Sequence, residues 1–184
     1  VLRVKRDILR RSSIGGIFTN RSISVDGDDS NQAFGLDGTF SFYDNVNFNG
    51  YYAQSQTPEL NGDDTSYQAA FNYTGDLYRF QVDHLLVGDN FNPEIGFLRR
   101  DDFRRTFASA EYRPRPAWEL VRQFTFGASL DYILGGSGQI ETRIAQAKFN
   151  TELENSDQIG IHLSDNYELL HTPFSPGGGL SIPV

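Results

Sequence analysis

The chain has 184 residues, enough for one domain with a substantial core or for a slice of a larger one, and it contains no cysteine, which excludes a disulfide framework and a thiolate metal site. A formal net charge of -8 argues against a general nucleic-acid binder, which needs a basic surface to displace counterions from phosphate. The cations are almost all arginine, with Lys5 and Lys148 the only lysines, and this shortage sets the polar residues apart from an ordinary bulk-solvent surface.

Alternation of apolar with small or polar residues, broken by Gly, Asn, Asp and Pro, marks about ten strand-like segments. The first two run over 1–7 and 13–20. The third, over 32–43, contains the clearest pattern: Phe34, Leu36, Phe40 and Phe42 point one way, and Gly35, Asp37, Thr39 and Ser41 the other. Segment 46–55 sets Val46, Phe48 and Tyr52 against Asn47, Asn49 and Ser55, and segment 65–74 sets Tyr67, Ala69, Phe71 and Tyr73 against Ser66, Gln68 and Asn72. Segment 77–87 follows. In 103–113 neither Arg104/Thr106/Ala108/Ala110 nor Arg105/Phe107/Ser109/Glu111 is cleanly apolar, so the pattern does not orient it. Segment 120–133 restores the rule, with Phe124, Phe126, Ala128, Leu130 and Tyr132 against Gln123, Thr125, Ser129 and Asp131. Segment 140–153 breaks it again, since Ile140 and Ile144 lie opposite Ala145, Ala147 and Phe149, and segment 158–169 closes the series.

Most of these segments are longer than the five or six residues usual for soluble strands, and match the ~9 to 11 residues that a tilted strand needs to cross hydrocarbon. No run approaches the ~20 apolar residues of a membrane-spanning helix, and no helix of any length is signalled. A mean hydropathy below zero is compatible with a membrane barrel, whose strands place only every second residue against lipid. Long and short links broadly alternate, with tight turns at Asp44-Asn45 and Gly75-Asp76 and longer links over 56–64 and 88–102, as in barrels with tight turns on one side and long loops on the other. Tyr43, Tyr51, Tyr52, Tyr73, Tyr78, Tyr112, Trp118, Tyr132 and Tyr167 cluster near turns, where an interfacial girdle or the closure of a soluble core would put them. The expected fold is all-β, an antiparallel transmembrane β-barrel of about ten strands here, forming a single domain or barrel segment over 1–184.

The opening from Val1 to Gly15 and the central Val87-Gly88-Asp89-Asn90-Phe91-Asn92-Pro93-Glu94-Ile95-Gly96-Phe97-Leu98-Arg99-Arg100-Asp101-Asp102-Phe103 are distinctive. Together with the stretch from Glu152 to Asp157 and Thr172-Pro173-Phe174, they resemble a family of uncharacterised bacterial outer-membrane proteins. In that family a β-barrel domain follows an amino-terminal carbohydrate-binding module of the family-nine type. The resemblance implies the bacterial outer membrane as location and its lipid as partner. It also implies carbohydrate as a partner through the upstream module, so sugar binding does not transfer to these residues. The family has no assigned activity. The start at Val1 without a leader, and an end lacking the terminal aromatic usual on a closing barrel strand, suggest an inner segment of a larger barrel.

The candidate polar site is the run Arg99, Arg100, Asp101, Asp102, Arg104 and Arg105. It reads either as a charged ladder at the lumen or its mouth, since arginine forks bind carboxylates and hydroxyls with fixed geometry, or as an ion-pair network that pins a loop. Asp26, Asp28 and Asp29 offer oxygen ligands for Ca²⁺ but lack the twelve-residue loop with its closing glutamate, and a solvated acidic loop is the simpler reading. His84, His162 and His171 are widely spaced and form no zinc or catalytic signature. There is no nucleophile elbow, no phosphate-binding glycine loop and no nominated glycosidase carboxylate pair, so no catalytic residue and no cofactor is expected. The functional expectation is a pore or a membrane anchor for a carbohydrate-binding module. The rivals are a soluble β-barrel or β-sandwich that binds a ligand in its interior, and a surface enzyme acting on glycans.

Overall fold

The computed structural model describes residues 1–23, 30–170, 174–177 and 180–182. Ten strands form one antiparallel sheet in chain order: β1 (Leu2–Ile8), β2 (Ser12–Arg21), β3 (Asn31–Phe42), β4 (Val46–Gln56), β5 (Thr65–Thr74), β6 (Tyr78–Val87), β7 (Phe103–Tyr112), β8 (Val121–Gly135), β9 (Ile140–Leu153) and β10 (Gln158–Glu168). A separate ribbon pairs β11 (Phe174–Gly177) with β12 (Leu180–Ile182). There is no helix among the described residues, and the large sheet is not closed, because β1 pairs only with β2 and β10 only with β9. The all-β antiparallel architecture and its ten segments therefore agree with the sequence reading. The β11–β12 ribbon was not anticipated by it.

Register carries the alternation from strand to strand. Phe40 faces Phe48, Phe48 faces Phe71, Phe71 faces Val82, Val82 faces Ala108 and Ala108 faces Leu130, so one row of apolar side chains crosses six strands on a single face. The opposite face carries Asp37 against Tyr51 and Tyr51 against Gln68. Both ambiguous segments are oriented by their neighbours. Thr106, Ala108 and Ala110 of β7 pair with His84, Val82 and Phe80, which places them, and Arg104 with them, on the apolar face. In β9 a register shift between Ile133 and Leu134 sets Ile140 opposite Leu134, so one extra residue brings Ile140 to the face of Ala145, Ala147 and Phe149, while Ile144 stays opposite Asp131 on the polar face.

Among the described residues no second layer covers the apolar face. Leu36 is 68% exposed, Phe48 43% and Phe126 45%, and Phe40 is half-buried. The buried apolar side chains among the described residues are Ala33, Ala70, Val87 and Phe91, far too few for the core of a soluble domain of this size. Toward the end with the shorter turns, ring contacts run along this face. Phe42, Phe48 and Phe71 form one chain of contacts, and Tyr73, Phe80, Tyr78, Tyr112, Phe126 and Phe149 another, with centroids 4.8 to 6.2 Å apart. Trp118 joins edge-on to Phe124 in the turn between β7 and β8. Such pairs contribute ~0.5 to 1.5 kcal/mol each beyond their burial and fix the lateral register of the strands.

The close approach of β4 to β5 depends on Gly50. A Cβ there would stand 2.5 Å from the Gln68 carbonyl oxygen and 3.4 Å from the Ala69 Cα, whereas at Gly16 on the same face the nearest atom, Leu36 Cδ2, is 3.5 Å away. Gly50→Ala is expected to force the two strands apart and cost about 1 to 3 kcal/mol. Gly16→Ala is expected to stay within ~0.5 kcal/mol of the parent. Urea unfolding midpoints of the two variants measure the difference, and equal midpoints would refute it.

Candidate functional site

The most deeply buried side chains of the sheet are polar. Asn31, Ser55 and Ser66 are fully buried, at the sheet end where the longer links gather, under the connection between β6 and β7 at 88–102. This strap folds back over the polar face. The Asn31 amide nitrogen donates to the Asn92 carbonyl at 2.9 Å and to Thr57 Oγ1 at 2.8 Å, while the Asn92 N–H donates to Ser55 Oγ at 2.9 Å. Asn90 donates from its backbone to the Asp63 carbonyl at 3.1 Å and from its side chain to the Gly62 carbonyl at 2.9 Å, which ties the strap to the 57–64 link. Arg21 reaches Glu94 at 3.4 Å, and the Glu94 side chain is 3% exposed. Phe91 is buried beside this network. Burial removes these groups from water, so each bond lost would leave a desolvated donor or acceptor behind.

The run singled out from the sequence is dispersed along the end of this strap and the start of β7. Arg100 pairs with Glu141 and lies over the Phe103 ring with its guanidinium carbon 5.2 Å from the centroid. Arg105 grips Asp131 of β8 with two bonds, Nε at 2.9 Å and a terminal nitrogen at 2.6 Å. Arg104, one residue earlier, stands on the apolar face and is exposed. Arg99, Asp101 and Asp102 are exposed. The six residues thus do not converge on one point.

Two ion pairs that no sequence proximity signals cross a whole strand. Arg3 of β1 meets Asp37 of β3 over Gly15 of β2, where a Cβ would lie 2.7 Å from the guanidinium and 2.9 Å from the carboxylate. Lys148 of β9 meets Glu111 of β7 over Gly127 of β8 in the same way, and Arg79 approaches the same carboxylate at 4.0 Å. A glycine in the middle strand opens the gap that the long side chains fill. With Arg122 and Glu152 at 2.8 Å, these pairs leave the charges of the polar face largely compensated.

His84 sits on the apolar face with Nδ1 2.8 Å from Thr106 Oγ1, and His162 belongs to the polar face opposite Lys148. Among the described residues no three His, Asp or Glu side chains gather as a metal site. The acidic link with Asp26, Asp28 and Asp29, and His171, lie outside the described residues. A comparison with known proteins finds no matching family model, no similar curated protein and no similar solved structure.

Removing the strap's anchors tests its attachment. In the double variant Asn31→Ala/Ser55→Ala, three side-chain bonds to the strap, worth about 1 kcal/mol each, disappear along with the bond from Asn31 to Thr57, and trypsin cleavage after Arg99 or Arg100 is expected to speed up about tenfold or more. Unchanged cleavage in the folded variant would show that the strap is held by other means.

Proposed function

We propose that these strands belong to an outer-membrane β-barrel of the bacterial family the sequence resembles, with the apolar face toward lipid and the polar face lining a lumen. In that reading the protein is a pore that also anchors the carbohydrate-binding module of its family. The observation that carries it is the uncovered apolar face: ten strands present Phe, Tyr, Leu, Ile and Val outward, and no second layer of the described residues packs on them. In water, leaving such side chains exposed forgoes roughly 25 cal/mol for each Å² of apolar area, and a contiguous patch of this extent marks a surface built to be covered. Hydrocarbon covers it without a second protein layer.

Three further features support the reading. Strands of 10 to 15 residues from β2 to β10 suit a tilted crossing. The ring contacts near the short-turn end form the kind of belt that amphipathic aromatics make among headgroups, and Tyr52, Tyr67, Tyr132 and Tyr167 stand toward the opposite end of the same face. The links 9–11, 43–45 and 75–77 are short, whereas 57–64 and 88–102 leave from the other end. The strap over the polar face would then narrow the lumen from that side. A soluble sandwich would need a second layer over Phe48 and Phe126, and the described residues supply none.

Nitroxide scanning of the full-length protein in phospholipid bilayers tests the proposal. Labels at Leu36→Cys, Val82→Cys and Leu130→Cys are expected to collide preferentially with dissolved oxygen, and labels at Gln81→Cys and Ser129→Cys with a water-soluble nickel chelate. A protein that stays soluble without detergent, or labels that show no two-residue alternation, would sink the idea.

A further inference from the structure

Below the strap, toward the short-turn end, the register aligns one row of uncharged hydrogen-bonding side chains across six consecutive strands. Asn47 of β4 faces Asn72 of β5, Asn72 faces Gln81 of β6, Gln81 faces Ser109 of β7, Ser109 faces Ser129 of β8, and Ser129 faces Gln146 of β9. All six lie on the polar face. Neighbouring rows are different: one carries Asp83, Phe107 and Asp131, the other Arg79, Glu111, Gly127 and Lys148. The unbroken run of amides and hydroxyls is a property of this row alone among the three.

Two independent observations suggest that the row holds a ligand rather than merely filling space. Asn72, Gln81 and Ser109 make no side-chain hydrogen bond with the described residues, although their neighbours on the same face are tied up: Ser41 with Asn47, Gln68 with Asp83, and Glu111 with Lys148. Three consecutive strands, β5 to β7, thus leave donors and acceptors facing outward at cross-strand intervals of ~5 Å, flanked by Asn47, bonded to Ser41, and by Ser129 and Gln146, bonded to each other at 3.4 Å. The second is a hollow of about 220 Å³ on the same stretch, lined by Ser109, Ser129 and Gln146 of the row, with Phe107 on one side and Gly127 and Lys148 on the other. The Lys148 chain, paired with Glu111, lies over Gly127 at the edge of the hollow, and Phe107 offers an apolar ring beside polar groups.

We infer that this row is a binding track for an uncharged, polyhydroxylated chain. The charge pattern selects the class. The nearby cations and anions are engaged with one another, Arg105 with Asp131 and Lys148 with Glu111, so no net field of one sign favours an ionic solute. Amides and hydroxyls that both donate and accept match hydroxyl groups, which do the same, and repeated spacing suits a repeating ligand. A bare cation or carboxylate would have to displace an existing ion pair, which leaves its partner charge exposed without compensation. The track deepens the pore reading by naming the solute class, and it rests on that reading for its place in a lumen.

The test uses the full-length protein in detergent, with maltohexaose as neutral probe and an oligogalacturonate of equal length as its charged counterpart. Saturation transfer from protein to probe is expected for maltohexaose and to be several-fold weaker for the galacturonate. In the variant Asn72→Leu/Gln81→Leu the maltohexaose signal is expected to fall at least fivefold, and Asn72→Gln/Gln81→Asn is expected to restore most of it. Should the leucine variant fail to fold, Ser109→Ala/Ser129→Ala replaces it, with the same direction expected. Equal signals from both probes, or a maltohexaose signal untouched in the folded variants, would overturn the track. Planar-bilayer conductance of the wild type separates the two readings: conductance without sugar contact rejects the track alone, while sugar contact without conductance rejects the pore and keeps the track.

Discussion

The hydrogen-bond register binds every side chain of the ten strands to one of two faces, and the rest of the structure follows from that restriction. A slip of one residue in any ladder would carry the rings of that strand to the polar side and its amides to the apolar side. The cross-strand ring contacts from Phe42 to Phe149 oppose such a slip on one face. On the other face the bonds between Ser41 and Asn47, Gln68 and Asp83, and Arg105 and Asp131 oppose it as well. Two unlike sets of interactions therefore hold the same register, one through shape and one through directed polar contacts.

Because the sheet is a single layer, its deepest burial lies where a connection folds over it, and the chemistry of that place is polar. Ser55 and Asn31 are held against the strap rather than in an apolar core, and Ser66 is buried beside them between Tyr51 and Leu86. Tyr51 extends the network by bonding Ser66 at 3.0 Å, and the Ser66 hydroxyl also reaches the Leu86 carbonyl at 3.0 Å. The bonds from Asn92 to Asn31 and Ser55, and from the Gly88 N–H to the Thr65 carbonyl, tie the position of the strap to strands β3, β4 and β5. The strap is thereby a fixed part of the polar face, built on side chains from several strands.

Much of this was legible in the sequence, because alternation over eight or more residues records which face meets which surroundings. Residues 34 to 42 and 124 to 132 declare their orientation without help. The failures have physical causes. In β7 the apolar side is made of Thr106, Ala108 and Ala110, whose small side chains suit either environment, so only pairing with Phe80 and Val82 orients the strand. In β9 the register shift adds a residue, and a rule with a period of two cannot see an insertion that only the partner strand reveals. The spread of the charged run has a related cause: Arg104 and Arg105 are adjacent in sequence and so fall on opposite faces, while their cross-strand neighbours come from β6 and β8. The pairs across Gly15 and Gly127 needed three strands in register before their partners could be named. Only the glycines hinted at them.

The two lateral edges carry the argument one step further. The outer strands β1 and β10 leave one side of their backbone without ladder partners, and their apolar side chains are widely uncovered, with Leu2 63% and Ile161 62% exposed. In hydrocarbon an unpaired N–H or C=O costs several kcal/mol, so under the proposed reading neither edge can stay open. Whatever pairs with them, each other or further strands, must repeat the same alternation in the same phase. Leu2 and Val4 fix that phase at one edge, and Ile159, Ile161 and Leu163 at the other, since all five lie on the face that holds Phe48 and Phe126. Bringing the edges together also brings Arg3 and Lys5 of β1 to the same side as His162 and Ser164 of β10, which extends the polar lining without adding an apolar residue to it. Under the proposed reading closure would therefore suit both faces at once, because the alternation that orients each strand is the same at the two edges.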